Sequence, residues 1–411
     1  MQIFRKFFQV LSVSCLFLCM VLWSFILTGY HGVSEKYQVP QSGALVLSDY
    51  IRACPVRRTI SVSAASETTE ASELRLFGVF PIRTVEISRT QRKNVVPGGI
   101  PFGVQMVSDG VIVTAVGGVE NGGYVFSPAR EAGIKSGDVI LSIDGKSMQS
   151  AEDVVSAVAK SGGKSLDIVL QRENGRMREV CVRPVADSEE KNYRIGIWVR
   201  DSSAGIGTVS FYDPDTGVFG GLGHAVCDAD TGCQLSLKSG RILSAGIDGV
   251  TPSKSGAPGQ LNGHFSGPVS CGVVLKNDET GVFGTLKNVR VCSGTVPVAF
   301  KQEVQLGTAT LLTTLSGNVP TEYAVRIERI SIGEERSTKN MLIRVTDPDL
   351  LKAAGGIVQG MSGSPILQNG KLVGAVTHVL IDDPTAGYGI FAENMLETAC
   401  RAASEAAQAA S

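Results

Sequence analysis

Residues 355–380 read GGIVQGMSGSPILQNGKLVGAVTHVL, and the fold is decided there. The run Gly360-Met361-Ser362-Gly363-Ser364-Pro365 sets a hydroxyl between two glycines. Glycine reaches backbone angles closed to other residues and lets a second chain come close. A serine held in such a turn projects its hydroxyl outward while neighbouring amides point the same way. The N–H groups of Gly360 and Ser362 are the pair expected to hold a developing negative oxygen. After the turn come an apolar strand, Asn369-Gly370 and a second apolar strand. Asn-Gly between hydrophobic runs is a hairpin signal, so the serine sits at the head of a β-hairpin.

A serine nucleophile needs a base. The chain has four histidines, His31, His224, His264 and His378. His31 adjoins an N-terminal apolar stretch and is set aside. His224, in FGGLGHAV, lies among glycines at a strand end far upstream of the serine, and is the preferred base. His264 is the reserve, and His378 follows the nucleophile on its own hairpin. An acid that holds the imidazole tautomer completes the set. Asp347 in VTDPDLL is preferred, with Asp349 and Asp228 as rivals. Catalytic His224, Asp347 and Ser362 then fall in the order His, Asp, Ser. This order, and the G-x-S-G-x-P pattern, resemble those of trypsin-like peptidases, in which base and nucleophile come from successive β-barrels.

The rest of the chain agrees with a mainly β protein. It has 411 residues, too many for one core. It holds 48 glycines and only 6% aromatics, a composition of strands and turns. The formal net charge of −1 excludes a nucleic-acid binder of the usual basic kind. From Tyr193 onward, short apolar runs such as YRIGIWV, GIGTVSFY and GVFGTL alternate with Gly, Asp and Pro turns, which predicts a double β-barrel. Nine cysteines, an odd number at irregular spacing, do not form a disulfide framework. They are expected mostly as small buried hydrophobes. Cys227 and Cys233 beside His224 raise a metal or thiol site as a rival reading, but their spacing is not a usual zinc signature. No cofactor or metal is called for.

Upstream, AREAGIKSGDVILSIDG (129–145) predicts a short helix, a strand and an Asp-Gly turn, followed by an amphipathic helix over 151–161 and a strand over 165–171. This resembles a PDZ domain of the type found in bacterial membrane-associated proteases. Such a domain captures an extended peptide beside one of its strands. Its peptide-binding loop is expected at Gly99, Ile100, Pro101 and Phe102. Pro101 has no N–H, which favours an internal peptide segment as ligand. Residues 7–27, FFQVLSVSCLFLCMVLWSFIL, are 21 positions without a charge, long enough to cross a bilayer. Arg5 and Lys6 precede them, which puts the N-terminus in the cytoplasm. The expected organisation is a cytoplasmic tip and transmembrane anchor (1–29), a flexible stalk with a short β segment (30–96), a PDZ domain (97–187) and a serine peptidase domain (188–411).

LFGVFPIRTV, VVPGG, the PDZ core, YRIGIWVRDSSAGIGTVSFYDP, GLGHAV, VTDPDLL, the nucleophile block and DDPTAGYGI together resemble the stage IV sporulation protein B peptidases of endospore-forming bacteria. The resemblance implies a membrane-anchored serine endopeptidase whose His224, Asp347 and Ser362 match the family's catalytic residues. It implies location in the forespore membrane, facing the space between forespore and mother-cell membranes. The implied substrates are the protein itself and a regulator of an intramembrane protease, whose release activates a late sigma factor. The alternative is a non-catalytic scaffold whose output is PDZ binding.

Overall fold

The computed structural model describes residues 32–409 apart from 49, 60–67, 190, 288–293 and 334–337, together with scattered positions between 12 and 24. Most of the apolar stretch 7–27 lies outside the described residues. Among those described, no helix is long and apolar enough to cross a membrane.

Where the polar composition of 30–73 predicted a flexible stalk, the chain forms a five-stranded sheet. Its strands are β1 (Lys36–Pro40), β2 (Val46–Ser48), β3 (Ile51–Thr59), β4 (Thr68–Leu76) and β5 (Phe80–Thr90), in the order β1-β5-β4-β3-β2. The cause is alternation. Tyr37, Val39, Leu74, Leu76, Val85 and Ile87 turn inward to a core of their own, while the polar residues between them face water. A sheet with one wet face has a polar average composition. The sheet docks on the C-terminal half through the buried Lys301, whose Nζ donates to Ser34 Oγ at 2.8 Å.

Next come β6 (Asn94–Pro97) and β7 (Pro101–Val116). The PDZ-like unit continues with α1 (Pro128–Glu131), β8 (Val139–Ile143), α2 (Ala151–Lys160), β9 (Leu166–Gln171) and β10 (Met177–Val182). Asp144 and Gly145 both hold positive φ, 48° and 73°, as an Asp-Gly hairpin turn requires. Ser150 and Asp153 form a capping box at the head of α2. Then β11 (Ile197–Tyr212) returns along β7, from Ile197 opposite Val116 to Thr208 opposite Pro101, with the register broken between Arg200 and Ser202. With β12 (Val218–Gly221), β13 (Leu237–Thr251), β14 (Gln260–Asp278) and β15 (Gly281–Leu286), the pairings run β7-β13-β14-β15-β12-β11 and back to β7. This is the first barrel. The PDZ-like unit is thus inserted between two adjacent barrel strands. The boundary expected at 187/188 misses this, because Phe102–Val107 pair with β13 on one side and β11 on the other.

The second barrel consists of β16 (Gly307–Thr313), β17 (Thr321–Ile330), β18 (Met341–Val345), β19 (Pro365–Gln368), β20 (Lys371–Val379) and β21 (Ala386–Phe391). It closes in the order β16-β17-β18-β21-β20-β19. Helix α3 (Pro348–Ala354) precedes the nucleophile turn and α4 (Ala392–Ala409) ends the described chain. Leu311, Val325, Ile343, Ile366 and Val376 fill the barrel, each burial contributing about 1.5–3 kcal/mol.

Candidate active site

The nucleophile turn and the base turn meet in the seam between the barrels. Gly360 and Gly363 hold φ of 95° and 96°, so both depend on the freedom of glycine. A Cβ on Gly363 would lie 2.1 Å from the carbonyl of Thr208 and 2.5 Å from Leu222 N. Leu222 and Gly223 hold positive φ in turn and swing the chain off β12 into His224. A Cβ on Gly223 would stand 2.9 Å from Thr377 Cγ2. Ser362 Oγ donates to the carbonyl of that same Thr377 at 2.8 Å. Serine and histidine are therefore carried on turns packed against one residue of β20.

Thr208 of β11 joins the two turns. Its hydroxyl donates to Gly360 O at 2.8 Å, its N–H donates to Ser362 O at 3.2 Å, and its carbonyl accepts from Leu222 N at 3.2 Å. The N–H groups of Gly360 and Ser362 donate to no other group among the described residues. Two unpaired amides beside a serine hydroxyl are what an oxyanion hole requires.

His224 Nδ1 lies 2.8 Å from the carbonyl of Ala225. That contact places the proton on Nδ1 and leaves Nε2 as acceptor, the tautomer of a general base. Burial holds the His224 pKa below the ordinary imidazole value, and the Ala225 carbonyl offsets this in part. The His378 ring stands 5.2 Å from it, centroid to centroid. The surrounding protein, His224 and Lys339 together push the His378 pKa down to about 4. Buried Asn277 secures the base turn from behind: its side chain accepts from Val226 N and donates to the carbonyls of Val226 and Leu235.

The acids are placed differently from the sequence expectation. The carboxylate of Asp347 accepts from Ala324 N, Asp349 N and Leu350 N. It caps α3 ahead of Pro348 and, among the described residues, makes no hydrogen bond to an imidazole. Asp-Pro at a helix start is itself a capping signal. These amides hold its carboxyl below the usual range. Asp228 binds Arg200 Nη1 at 2.6 Å and organises the turn through Asp230 N and Thr231 N. His264 pairs with Asp248 in an exposed position. Cys181, Cys227 and Cys400 are exposed free thiols rather than buried ones. Among the described residues no group of three His, Cys, Asp or Glu side chains is set to hold a metal.

Gly99, Ile100, Pro101 and Phe102 are not part of the PDZ groove. Gly99 N donates to Val209 O, and Thr314 Oγ1 donates to Gly99 O. Phe102 packs edge-on against Phe219 inside the first barrel. The groove strand is instead Ile197–Arg200 of β11. It pairs with Ile112–Val116 on one edge and, among the described residues, with no strand on the other, while Ile195, Ile197 and Val199 share the apolar core with Val154 and Val158 of α2. Ile195 and Gly196 offer their carbonyls to Ala129 N and Gly117 N, and their own amides donate to no carbonyl among the described residues. The apolar-Gly-apolar run 195–197 carried the signal that the reading at 99–102 missed.

A family model described as SpoIVB peptidase S55 matches residues 191–396, and a PDZ model matches 121–172. The chain belongs to the SpoIVB peptidase S55 family. With membership comes the class of serine endopeptidase. A putative zinc metalloprotease of Clostridium acetobutylicum is 31% identical over 104 residues, 25% of this chain and 29% of its own length. The regulator of sigma-W protease RasP of Bacillus subtilis is 41% identical over 68 residues, 16% of each. This peptidase thus spans less than a third of the length of these curated relatives. A protease of M. tuberculosis in its active form aligns over 47% of this chain and 72% of its own at 15% identity, with a TM-score of 0.27.

Proposed function

We propose that this peptidase cleaves proteins by attack of Ser362 Oγ on a peptide carbonyl, with His224 Nε2 taking the hydroxyl proton and returning it to the leaving amine. The Gly360 and Ser362 amides hold the oxyanion, and water releases the acyl-enzyme. The observation that carries this reading is the stitching of both turns by Thr208, with the two amides left unpaired beside the nucleophile. For attack, Ser362 Oγ leaves the Thr377 carbonyl and turns to the imidazole. In the arrangement described, Ala225 O orients His224. The family resemblance gives that role to Asp347, which must first leave three amides.

The extended groove at Ile197–Arg200 docks a peptide segment by strand addition. The family resemblance, and the similarity to part of a protein named as a regulator of sigma-W protease, support a role in sigma-factor signalling during sporulation. That role comprises self-cleavage, cleavage of a regulator of an intramembrane protease, and tethering through 7–27 with the catalytic unit outside the cytoplasm, at the forespore membrane. The scaffold alternative draws on one observation, that Ser362 Oγ is bonded to a carbonyl rather than to a base. Labelling by a fluorophosphonate decides between them. Wild type should label at Ser362, with His224→Ala strongly reduced and Ser362→Ala unlabelled. A folded wild type that does not label leaves only the scaffold.

A further inference from the structure

The β4–β5 hairpin ends in Phe77-Gly78-Val79-Phe80 and turns its apolar side chains to solvent. Phe77, Val79 and Phe80 are 58%, 65% and 38% exposed, and Tyr50 beside them is 61% exposed. The Tyr50 and Phe77 rings meet edge-on at 5.6 Å, and Phe77 N donates to Tyr50 O. Phe77 holds a φ of 52°, a costly angle for a bulky residue. The strain is spent on presenting a ring outward. Clustered exposed apolar side chains of this kind mark an interaction surface.

The strand register shows what this tip faces. β1 runs parallel to β5, with Lys36 opposite Glu86. Arg83 bonds the carbonyl of Val33 and the carboxylate of Glu35. The chain therefore enters β1 from the hairpin end of the sheet, and the uncharged stretch 7–27 lies immediately upstream. Aromatic rings with one wet and one apolar side collect at the headgroup level of a bilayer. Arg52, exposed and without an ion-pair partner among the described residues, lies directly behind Gly78, where a cation meets anionic headgroups.

We propose that Tyr50, Phe77, Val79 and Phe80 insert into the headgroup layer of the bilayer that holds the N-terminal segment. The sheet is then a two-point mount that fixes the height and tilt of the barrels over the membrane. This rests on the reading of 7–27 as an anchor.

The test uses the full chain carrying Ser362→Ala, so that it stays uncut, in vesicles of phosphatidylethanolamine and phosphatidylglycerol. The vesicles contain a phospholipid with a photoactivatable group high in its acyl chain, and adducts are mapped by mass spectrometry. Adducts are expected within 7–27 and within 76–80. Those within 76–80 should exceed, by roughly tenfold or more, those at Val269 and Val319, equally exposed sites on the barrels. Phe77→Ser with Phe80→Ser should lose the hairpin adducts and keep the N-terminal ones. Adducts on 7–27 alone overturn the hairpin contact and leave the anchor standing. Adducts at neither overturn both. A hairpin joined to a second copy of the chain instead of lipid overturns the contact in favour of self-association.

Discussion

Replacing Thr208 by valine keeps the shape of the side chain and removes only the hydroxyl that donates to Gly360 O at 2.8 Å. Thr208 is 2% exposed, so water does not substitute for the lost donor. A neutral hydrogen bond contributes about 0.5–1.5 kcal/mol, and a buried carbonyl left unpaired costs about 1–3 kcal/mol. A stability loss of about 1–3 kcal/mol is therefore expected, read as a fall in urea midpoint at constant slope. The rate should suffer more than the fold. Gly360 supplies one of the two amides aimed at the oxyanion, and loss of one such donor lowers kcat about 10²–10³-fold. A turn that loosens without losing the donor outright should fall about 10–100-fold in acylation of Ser362. KM should change little, because the Thr208 N–H still holds Ser362 O. Thr208→Ser restores the donor and should recover most of the rate. The assay is the rate of fluorophosphonate labelling, followed at a temperature where both variants are folded. A folded Thr208→Val protein that labels as fast as wild type would refute the assignment of Thr208 as the residue that positions the oxyanion turn.

Gly363→Ala should yield no labelled protein, since a Cβ there meets Thr208 O at 2.1 Å; soluble, reactive protein would show that the turn is laid out differently. Asp228→Asn weakens a charged bond to Arg200 and the turn behind His224; a loss of about 1.5–3 kcal/mol is expected, checked by denaturant unfolding. Asp347→Ser keeps a capping oxygen for α3 and should preserve both stability and labelling; a folded but unlabelled variant would mean that Asp347 orients His224 in the working state. The acid limb of kcat/KM should fall below pH 6.5, because burial keeps His224 neutral to lower pH. His378 has a folded value of about 4 against an ordinary 6.5. The unfolded chain thus binds its proton first, and stability should be complete above pH 6.5 and decline toward pH 4. A His378→Asn variant with an unchanged decline over that window would contradict this.

The nucleophile turn was legible because its constraints are local: Gly360 and Gly363 need their glycine angles whatever else the chain does. The same holds for Asp144-Gly145 and for the capping box at Ser150. The N-terminal sheet was hidden because its strands bury about every second residue, and a polarity average over 30–73 erases that period. The insertion of the PDZ-like unit was hidden for a different reason. Whether Gly99–Phe102 or Ile195-Gly196-Ile197 edges the groove depends on which distant strand each pairs with, and no local pattern records that. Thr208 and Asn277 carried no signal at all; each acts through hydrogen bonds to backbone far away in sequence. Asp347 did carry a warning, in the proline that follows it.

Strand β11 begins as the lip of the peptide groove, sends Arg200 to the turn behind His224, and ends by gripping Gly360 and Ser362 through Thr208. Receptor and blade are consequently parts of one strand, whose register against β7 breaks between Arg200 and Ser202. A peptide strand added at that edge would extend the same strand that Thr208 ties to the Gly360–Ser362 turn.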